Sequence, residues 1–583
     1  GLTTEKLQRL IFGFLGAPIP HWAIWASTGR NDLVSIARTC QAFTEVALDI
    51  LYHDVKLESL LQVWHAKGIL RRVQTPSAEP EEIVFDRVPN SFDYQRLSYY
   101  SRRVRVLNVR YRWYATGTQM SYGTNFFPTF IEAITNWSTQ QAEPFPQLQS
   151  LTWSGPGEVE LVSCEAIILA SPRLKAFTYG EYRDDSRSSS DSWPTLLRTL
   201  ASAQSLERIE INLDLPVIDP IGPGTRAGLA LCRLIMKPNL KELHLPDYVL
   251  ESAAVVSSFA SARHLERLTL SPAWKSVTGG VTDVPRAVTL DRLSHLGGTL
   301  DGMKTILAGP FVFRALTTIT TDDVLQTSFY CSHLRTFFGL VGNGCPVIET
   351  LHISGYIHLD TVGQRSHFVL APLRACTRMQ HFMLHMMMLD RDGIRVHVPQ
   401  DFNPTDMDWS SLISSWPDLH KMSYYFTGSS EGGEYYRRLD PGPRGTTRTL
   451  MGFSRNCRQL VSLVVPLTVT LHDTSAALQD DILPFGNFLR SMGFTNYSIE
   501  DDAVDVLAKL LLRLTWDDVG FDWSDLQGSE EGGFDLRSEK NLRAAIKLID
   551  FIREARPTGT PPAPPGVRCH CMLPKQFLPY PPT

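Results

Sequence analysis

The stretch at residues 240–245 is LKELHL, and it decides the fold because versions of it return along the chain. An apolar residue is followed by two variable positions, and then by an apolar, a polar and an apolar residue. The last part alternates, as a strand with one buried face requires, and the first apolar residue can anchor the turn into that strand. A single copy would carry little information, because many strands match it by chance.

The same phrase recurs over several hundred residues. The clear copies are LQSLTW (148–153), LKAFTY (174–179), LERIEI (206–211), LKELHL (240–245), LERLTL (265–270), IETLHI (348–353), MQHFML (379–384), LHKMSY (419–424) and LVSLVV (460–465). Two weaker copies are VRVLNV (104–109) and LTTITT (316–321). The closest neighbours are 25 to 34 residues apart, so we expect the larger gaps to hold insertions or a degenerate copy.

An apolar stretch with helical spacing precedes most copies. The examples are CEAIILAS (164–171), PTLLRTLAS (194–202), GLALCRLIM (228–236), SAAVVSSFAS (252–261) and CSHLRTFFGLV (331–341). The repeated unit is therefore helix, turn and short strand. Since one unit cannot bury its own apolar face, we expect stacked copies to form a parallel sheet backed by helices.

The repeated phrase resembles the L-x-x-L-x-L strand signature of leucine-rich repeats, and CPVIETLHI (345–353) resembles the cysteine-containing variety. Most copies lack the Asn or Cys that usually follows the strand, and the unit length varies. We therefore expect an irregular, interrupted solenoid. The alternative is an ordinary α/β domain with a parallel sheet, although no phosphate-binding loop follows any of the predicted strands.

The first fifty residues lack the repeated phrase and show the apolar spacing of helices. Leu7, Leu10, Ile11, Phe14 and Leu15 fall on one continuous helical face. A loop with Pro, Gly and two Trp follows at 16–31, and then Asn31 or Asp32 can cap a second helix. Thr44 can cap a third helix, TEVALDILY. Three short helices bury too little surface to be robust alone, so a partner would stabilise them.

This N-terminal pattern resembles an F-box, the three-helix module that docks onto the Skp-type adaptor of cullin ubiquitin ligases. The ending ALDILY (47–52) is similar to that of fungal F-box proteins with degenerate repeats. The resemblance implies that the adaptor contacts are Leu2, Glu5, Leu7, Ile11, Phe14, Leu15, Leu33, Ala37, Cys40, Phe43, Leu51 and Tyr52. Thr3 replaces the usual Pro, and the loop 16–31 is longer than usual. The alternative is a helical cap on the solenoid.

The composition is that of an ordinary globular protein. The formal net charge of −5 argues against a broad nucleic-acid or anionic-membrane surface. The nine Cys are scattered and odd in number, which is typical of a reduced protein of the cytoplasm or nucleus. No apolar run approaches the roughly 20 residues that span a bilayer.

No sequence pattern supports a catalytic or cofactor site. The chain lacks a Gly-x-Ser-x-Gly elbow, a His-Glu-x-x-His motif and a P-loop. RCHC (568–571) has no second ligand pair and lies in a Pro-rich tail, so we predict no metal site. We expect the chain not to be an enzyme.

The predicted organisation has five parts. They are an F-box-like module (1–60), a helical connection (61–100), a repeat solenoid (101–470), a C-terminal helical cap (471–555) and a Pro-rich tail (556–583). Within the cap, VDVLAKLLLRL is expected to form an amphipathic helix that ends near Leu514.

Together these features predict an α/β protein with an N-terminal F-box and an irregular leucine-rich-repeat solenoid. The resemblance implies a substrate-recognition subunit of an SCF-type ubiquitin ligase, whose repeats hold a client protein. The alternative is a leucine-rich-repeat scaffold that never engages the ligase. Candidate client contacts are the solvent-facing strand positions Arg208, Glu210, Glu242, His244, Arg267, Thr269, Thr350, His352, His381, His385, Lys421 and Tyr425.

Overall fold

The computed structural model describes residues 33–35, 37–38, 41–73, 81–110, 112–115, 118–122, 126–140, 143–154, 158–180, 193–212, 225–271, 287–321, 328–358, 369–390, 404–430, 445–515 and 519–522. The chain divides into two compact units, Gly1–Leu290 and Asp291–Thr583. No helix in the described part of the chain is both long and apolar enough to cross a membrane.

The first unit alternates helices and strands. Its helices are α1 (Gln41–Leu51), α2 (Leu57–His65), α3 (Ser91–Ser101), α4 (Phe126–Gln140), α5 (Glu158–Leu169), α6 (Trp193–Ser202), α7 (Arg226–Ile235) and α8 (Ala253–Ser258). Its strands are β1 (Asp54–Lys56), β2 (Leu70–Val73), β3 (Glu81–Phe85), β4 (Val106–Arg110), β5 (Arg112–Ala115), β6 (Thr118–Tyr122), β7 (Ser150–Ser154), β8 (Ala176–Gly180), β9 (Arg208–Asn212), β10 (Glu242–Pro246), β11 (Arg267–Ser271) and β12 (Val288–Leu290).

Most of these strands form one parallel sheet, in the order β1-β4-β7-β8-β9-β10-β11. The strands follow sequence order, as expected when each helix-turn-strand unit stacks on the preceding one. A smaller sheet has the order β2-β3-β6-β5. The predicted parallel sheet backed by helices is therefore confirmed in this unit.

The second unit repeats this architecture. Its helices are α9 (Leu300–Ala308), α10 (Cys331–Gly344), α11 (Asp406–Ser415), α12 (Thr447–Asn456), α13 (Leu471–Gln479) and α14 (Val504–Leu514). Its strands are β13 (His295–Gly298), β14 (Phe311–Phe313), β15 (Thr318–Thr320), β16 (Ser328–Tyr330), β17 (Thr350–His358), β18 (His381–Asp390), β19 (Lys421–Ser430), β20 (Ser462–Val469), β21 (Ser491–Ile499) and β22 (Gly520–Asp522). The parallel order is β13-β15-β17-β18-β19-β20-β21-β22.

Apolar rows run across the sheets and form the core. Ile209, Leu243 and Leu268 are in register on neighbouring strands, and each is at most 1% exposed. The anchor residue of each phrase is buried as well, as Leu240 and Leu265 show. The L-x-x-L-x-L pattern therefore marks three buried rows that continue from strand to strand.

A recurring pair of backbone hydrogen bonds fixes the spacing between neighbouring helix-turn-strand repeats. The carbonyl of Glu207 accepts from the backbone N–H of Lys241 at 2.8 Å and from that of Glu242 at 3.1 Å. In the second unit the carbonyl of Glu349 accepts in the same way from Gln380 and His381. These bonds therefore set the register of each strand against the preceding one at the residues just ahead of the strand.

A row of buried side chains lies at the turn before three consecutive anchors of the second unit. The thiol of Cys376 donates to the carbonyl of Cys345 at 3.9 Å, and the thiol of Cys457 donates to the carbonyl of Trp416 at 3.5 Å. The indole of Trp416 donates to the carbonyl of Leu373 at 3.2 Å. Each of these carbonyls also accepts a backbone N–H, from Ile348, Leu419 and Cys376 respectively, so the side chains supply a second donor at each turn.

The sheets do not end at the predicted boundaries. Strand β1 lies inside 1–60 and is already paired with β4. Strands β21 and β22 lie inside 471–555, the predicted helical cap, and continue the parallel sheet. A copy that sequence reasoning missed is LRSMGF (489–494), in which Leu489, Met492 and Phe494 occupy the three buried positions at β21. Helix α14 does end at Leu514, as predicted.

Candidate functional site

The candidate adaptor site comprises the N-terminal helices and the first strand of the sheet. Seven of the predicted contacts lie outside the described residues, namely Leu2, Glu5, Leu7, Ile11, Phe14, Leu15 and Cys40. Leu33 is 1% exposed and packs with Val46 of α1, and Phe43, Ile50 and Leu51 are only partly buried against this pair. Ala37 and Tyr52 are half-buried.

The position of Thr44 differs from the prediction. Helix α1 begins at Gln41, so Thr44 lies inside the helix and does not cap it. Its hydroxyl donates to the backbone carbonyl of Ala37 at 2.8 Å. A threonine hydroxyl satisfies a free carbonyl as readily as it caps an N–H, and here it ties α1 to the preceding helical segment.

A charged joint fixes α1 to the end of α3. Arg103, whose side chain is 4% exposed, pairs with Glu45, and its Nε lies 3.1 Å from Oδ1 of Asp49. The Tyr99 hydroxyl donates to Glu45 at 2.5 Å. This bond lowers the pKa of the Glu45 carboxyl, with Arg103 and Arg102 adding to the effect against a partial opposing effect of burial.

The joint leads directly into the sheet. After α1 ends at Leu51, Tyr52 and His53 alone separate it from β1. The carbonyl of His53 accepts from the backbone N–H of Arg105 at 3.0 Å and of Val106 at 2.9 Å. Sequence reasoning missed this joint. The spacing of Glu45 and Asp49 on one helix face was the available signal.

The first unit places its candidate client residues in two rows on the polar side of the sheet. Arg208, Glu242 and Arg267 are in register, and so are Glu210, His244 and Thr269. Arg208 pairs with Glu210 at 3.3 Å and with Glu242 at 3.5 Å.

The histidine of this face is also near a carboxylate. His244 Nδ1 lies 4.0 Å from Glu210 Oε1. Burial lowers the pKa of His244, and Glu210 opposes that effect. The charges of this face are therefore largely compensated within it.

The second unit places its candidates in rows of different character. Thr350, His381 and Lys421 are in register, followed along the strands by His352, and then by His385 opposite Tyr425. The Tyr425 side chain lies outside the described residues. Sequence reasoning missed Ser423 and His420, which face the same histidines: Ser423 Oγ lies 2.6 Å from His385 Nε2, and the His381 and His420 ring centroids are 5.8 Å apart.

Within the described residues, no set of three or more His, Cys, Asp or Glu side chains is arranged to hold a metal ion. The buried thiols of Cys345, Cys376 and Cys457 pack in the repeat turns, where burial raises their pKa to about 12, about 11 and about 12.

No protein-family model matches the sequence, and no curated protein matches it. Among solved structures, the crystal structure of the Rad7 and Elc1 complex in yeast is similar to this chain, with a TM-score of 0.26 and 12% sequence identity. The match covers 88% of this chain and 96% of that chain. The fold is accordingly assigned from the strand order and register described above.

Proposed function

We propose that this chain is the substrate-recognition subunit of an SCF-type cullin ubiquitin ligase. In this proposal the N-terminal helices bind the Skp-type adaptor, and the polar faces of the repeats hold a client protein. The observation that carries it is the joint: a short helix with partly buried apolar side chains passes without a flexible linker into the first strand of a repeat sheet. The chain would act in the cytoplasm or nucleus.

The exposed apolar surface of α1 supports the adaptor half of the proposal. Phe43, Ile50 and Leu51 are packed on one side and partly exposed on the other. Covering such surface contributes about 25 cal/mol for each Å² removed from water. A partner helix laid against α1 would therefore stabilise both the complex and the small helical module.

The charged joint between α1 and α3 supports the second half of the proposal, the presentation of a client. A receptor of this kind catalyses no bond change, and its contribution is to raise the effective concentration of a client lysine near the conjugating enzyme. That contribution depends on a defined span between adaptor and client. Arg103, buried between α1 and α3, contacts Glu45 and Asp49 of α1 and so would hold that helix close to the start of the sheet.

Co-purification with a Skp-type adaptor tests the proposal. We expect the full-length chain to retain the adaptor through size-exclusion chromatography, and the double variant Leu7→Asp/Ile11→Asp to elute alone. Leu229→Asp is the matched control, since Leu229 is an apolar residue of α7 that is already 58% exposed. A folded wild-type chain that never retains the adaptor would contradict the proposal and would favour the scaffold alternative.

A further inference from the structure

The polar side of the second unit carries a cluster of basic side chains that we call the histidine face: His352, His381, His385, His420 and Lys421. These five residues come from three neighbouring parallel strands, β17, β18 and β19, or from the residue just before one of them. Side chains on adjacent strands of one face are close enough to interact. The sequence fragment HFMLHMMM, which begins at His381, is thus part of a surface and not only of a core.

The rings of this face are close together. His352 and His385 have ring centroids 6.0 Å apart, nearly perpendicular to each other. His385 Nε2 lies 2.6 Å from Ser423 Oγ, so the ring is held in a fixed orientation. The Nδ1 atom of His420 is buried without a hydrogen-bond partner. The imidazole rings of this face are therefore packed close to one another and to the Ser423 hydroxyl.

The acidic residues on the turns into these strands are Glu349 and Asp418. The other polar and titratable neighbours on the same strands and turns include His295, Thr318, Thr320, Thr350, Ser354, Arg378, Gln380, Ser423 and Ser462. Among the described residues neither acid forms an ion pair, and neither do His381, His420 or Lys421. The first unit differs, because Glu210 and Glu242 neutralise its basic residues.

Proton binding by three histidines of the cluster is weakened in the free protein. Burial is the main cause of the lowered pKa of His352, His381 and His385. The charges of Lys421 and His420 lower the pKa of His381 further, and His352 does the same to His385. An anion placed on this face would supply the missing opposite charge and would raise these pKa values again.

The donor chemistry favours carboxylates over phosphates. Arginine, with its planar fork of donors, is the preferred phosphate ligand in proteins. The described positions of the histidine face hold imidazoles, one ammonium group and hydroxyls, and no guanidinium. Neighbouring strands are about 4.8 Å apart, so one carboxylate on this face can contact donors from two strands.

We propose that the histidine face binds an acidic, carboxylate-rich peptide segment of the client and takes up protons from water as it does so. This proposal rests on the proposed function, in which the repeats hold a client. It implies that client affinity rises as the pH falls from about 7.5 to about 6, within the range where histidine responds.

Fluorescence anisotropy with synthetic peptides on the full-length chain tests this. An Asp- and Glu-rich peptide should bind about three- to tenfold more tightly near pH 6 than near pH 7.5, since each proton taken up contributes at most a factor of ten per pH unit. A phosphopeptide of matched length should not show this gain, because the second phosphate pKa of about 6 removes charge from it over the same interval. A Lys-rich peptide should bind at neither pH.

Two variants locate the effect. Replacing His352, His381 and His385 together by Gln should reduce the pH effect to less than about twofold. The matched control His472→Gln changes an exposed histidine of helix α13, which is not on either polar face, and it should keep the full effect. If the triple variant unfolds, the single variant His381→Gln replaces it. This variant leaves the contact between His385 and Ser423 intact, and it should still weaken the pH dependence of binding.

The inference is overturned if the acidic peptide binds at neither pH or if its affinity does not depend on pH. Tighter binding of the phosphopeptide than of the acidic peptide would also overturn it. Adaptor co-purification is measured separately and involves residues of the N-terminal helices. A chain that retains the adaptor and ignores the acidic peptide would therefore refute this inference alone. A chain that loses the adaptor would refute the proposed receptor function.

Discussion

The Nε atom of Arg103 lies 3.1 Å from Oδ1 of Asp49, and the same guanidinium group also pairs with Glu45 one turn earlier on α1. This pair of contacts joins a helix of the N-terminal module to the residues that lead into β4. Since the Arg103 side chain is 4% exposed, the contacts are shielded from water on one side. The position of α1 is therefore part of the folded core of the first unit.

Removing the buried arginine should destabilise the first unit. We expect Arg103→Met to lower the free energy of unfolding by about 1–3 kcal/mol, because the buried guanidinium loses its contacts with two carboxylates and with the Tyr99 carbonyl. Arg102→Met is the control, because Arg102 is 53% exposed and lies 3.8 Å from Glu45. That change should be worth less than about 1 kcal/mol. Equal effects in urea unfolding would contradict the role assigned to Arg103.

Two glycines of α10 should respond in opposite ways to alanine. A Cβ at Gly342 would overlap the backbone carbonyl oxygen of Pro372, whereas a Cβ at Gly339 would meet nothing within 4 Å. We expect Gly342→Ala to destabilise by about 1–3 kcal/mol through overpacking. Gly339→Ala should stabilise by up to about 1 kcal/mol through helix propensity. Thermal unfolding of the two variants would measure these changes. A Gly342→Ala variant as stable as the wild type would disprove the close approach of α10 to the next repeat.

The buried thiols of the repeat turns should be unreactive in the native state. Burial raises the pKa of Cys345 to about 12 and that of Cys376 to about 11, so little reactive thiolate exists near neutral pH. Mass spectrometry after iodoacetamide treatment should find Cys345, Cys376 and Cys457 unmodified until denaturant is added. Rapid labelling of these three in the native protein would mean that the turns are open.

Acid should weaken the second unit through His385. Burial and the nearby His352 lower its pKa to about 4 in the folded chain, whereas an unfolded histidine has a pKa near 6.5. The unfolded state thus binds the proton first, and stability falls as the pH drops from about 6.5 to about 4. The loss from this group should reach about 2–3 kcal/mol. In denaturant titrations His385→Gln should lose less stability than the wild type over that interval, and an identical loss would exclude His385 as the cause.

The repeat architecture could be predicted from the sequence because its signal is local and repeated. Leu240, Leu243 and Leu245 each become buried, and the same holds for the equivalent positions of the other clear copies. The limits of the sheet were not predicted. Strand β1 has three residues and carries little pattern, whereas LRSMGF (489–494) at β21 matches the repeated phrase and sequence reasoning missed it.

The side-chain contacts of the candidate sites could not be predicted, because they join residues that only the folded chain brings together. Thr44 fits a cap by its type and position in the sequence, but only the folded chain places the Ala37 carbonyl within reach of its hydroxyl. The joint needs Glu45 and Arg103, which are far apart in sequence. The close contact of His385 with Ser423 similarly requires the register of β18 against β19.

The affinity of the full-length chain for a purified Skp-type adaptor, measured by calorimetry, tests the central claim most directly. We predict tight binding by the wild type and a loss of more than about a hundredfold for Leu7→Asp/Ile11→Asp, since two apolar side chains contribute roughly 1.5–3 kcal/mol each when buried. Leu229→Asp should bind like the wild type. An unchanged affinity in a folded double variant, or no binding by the wild type, would contradict the claim.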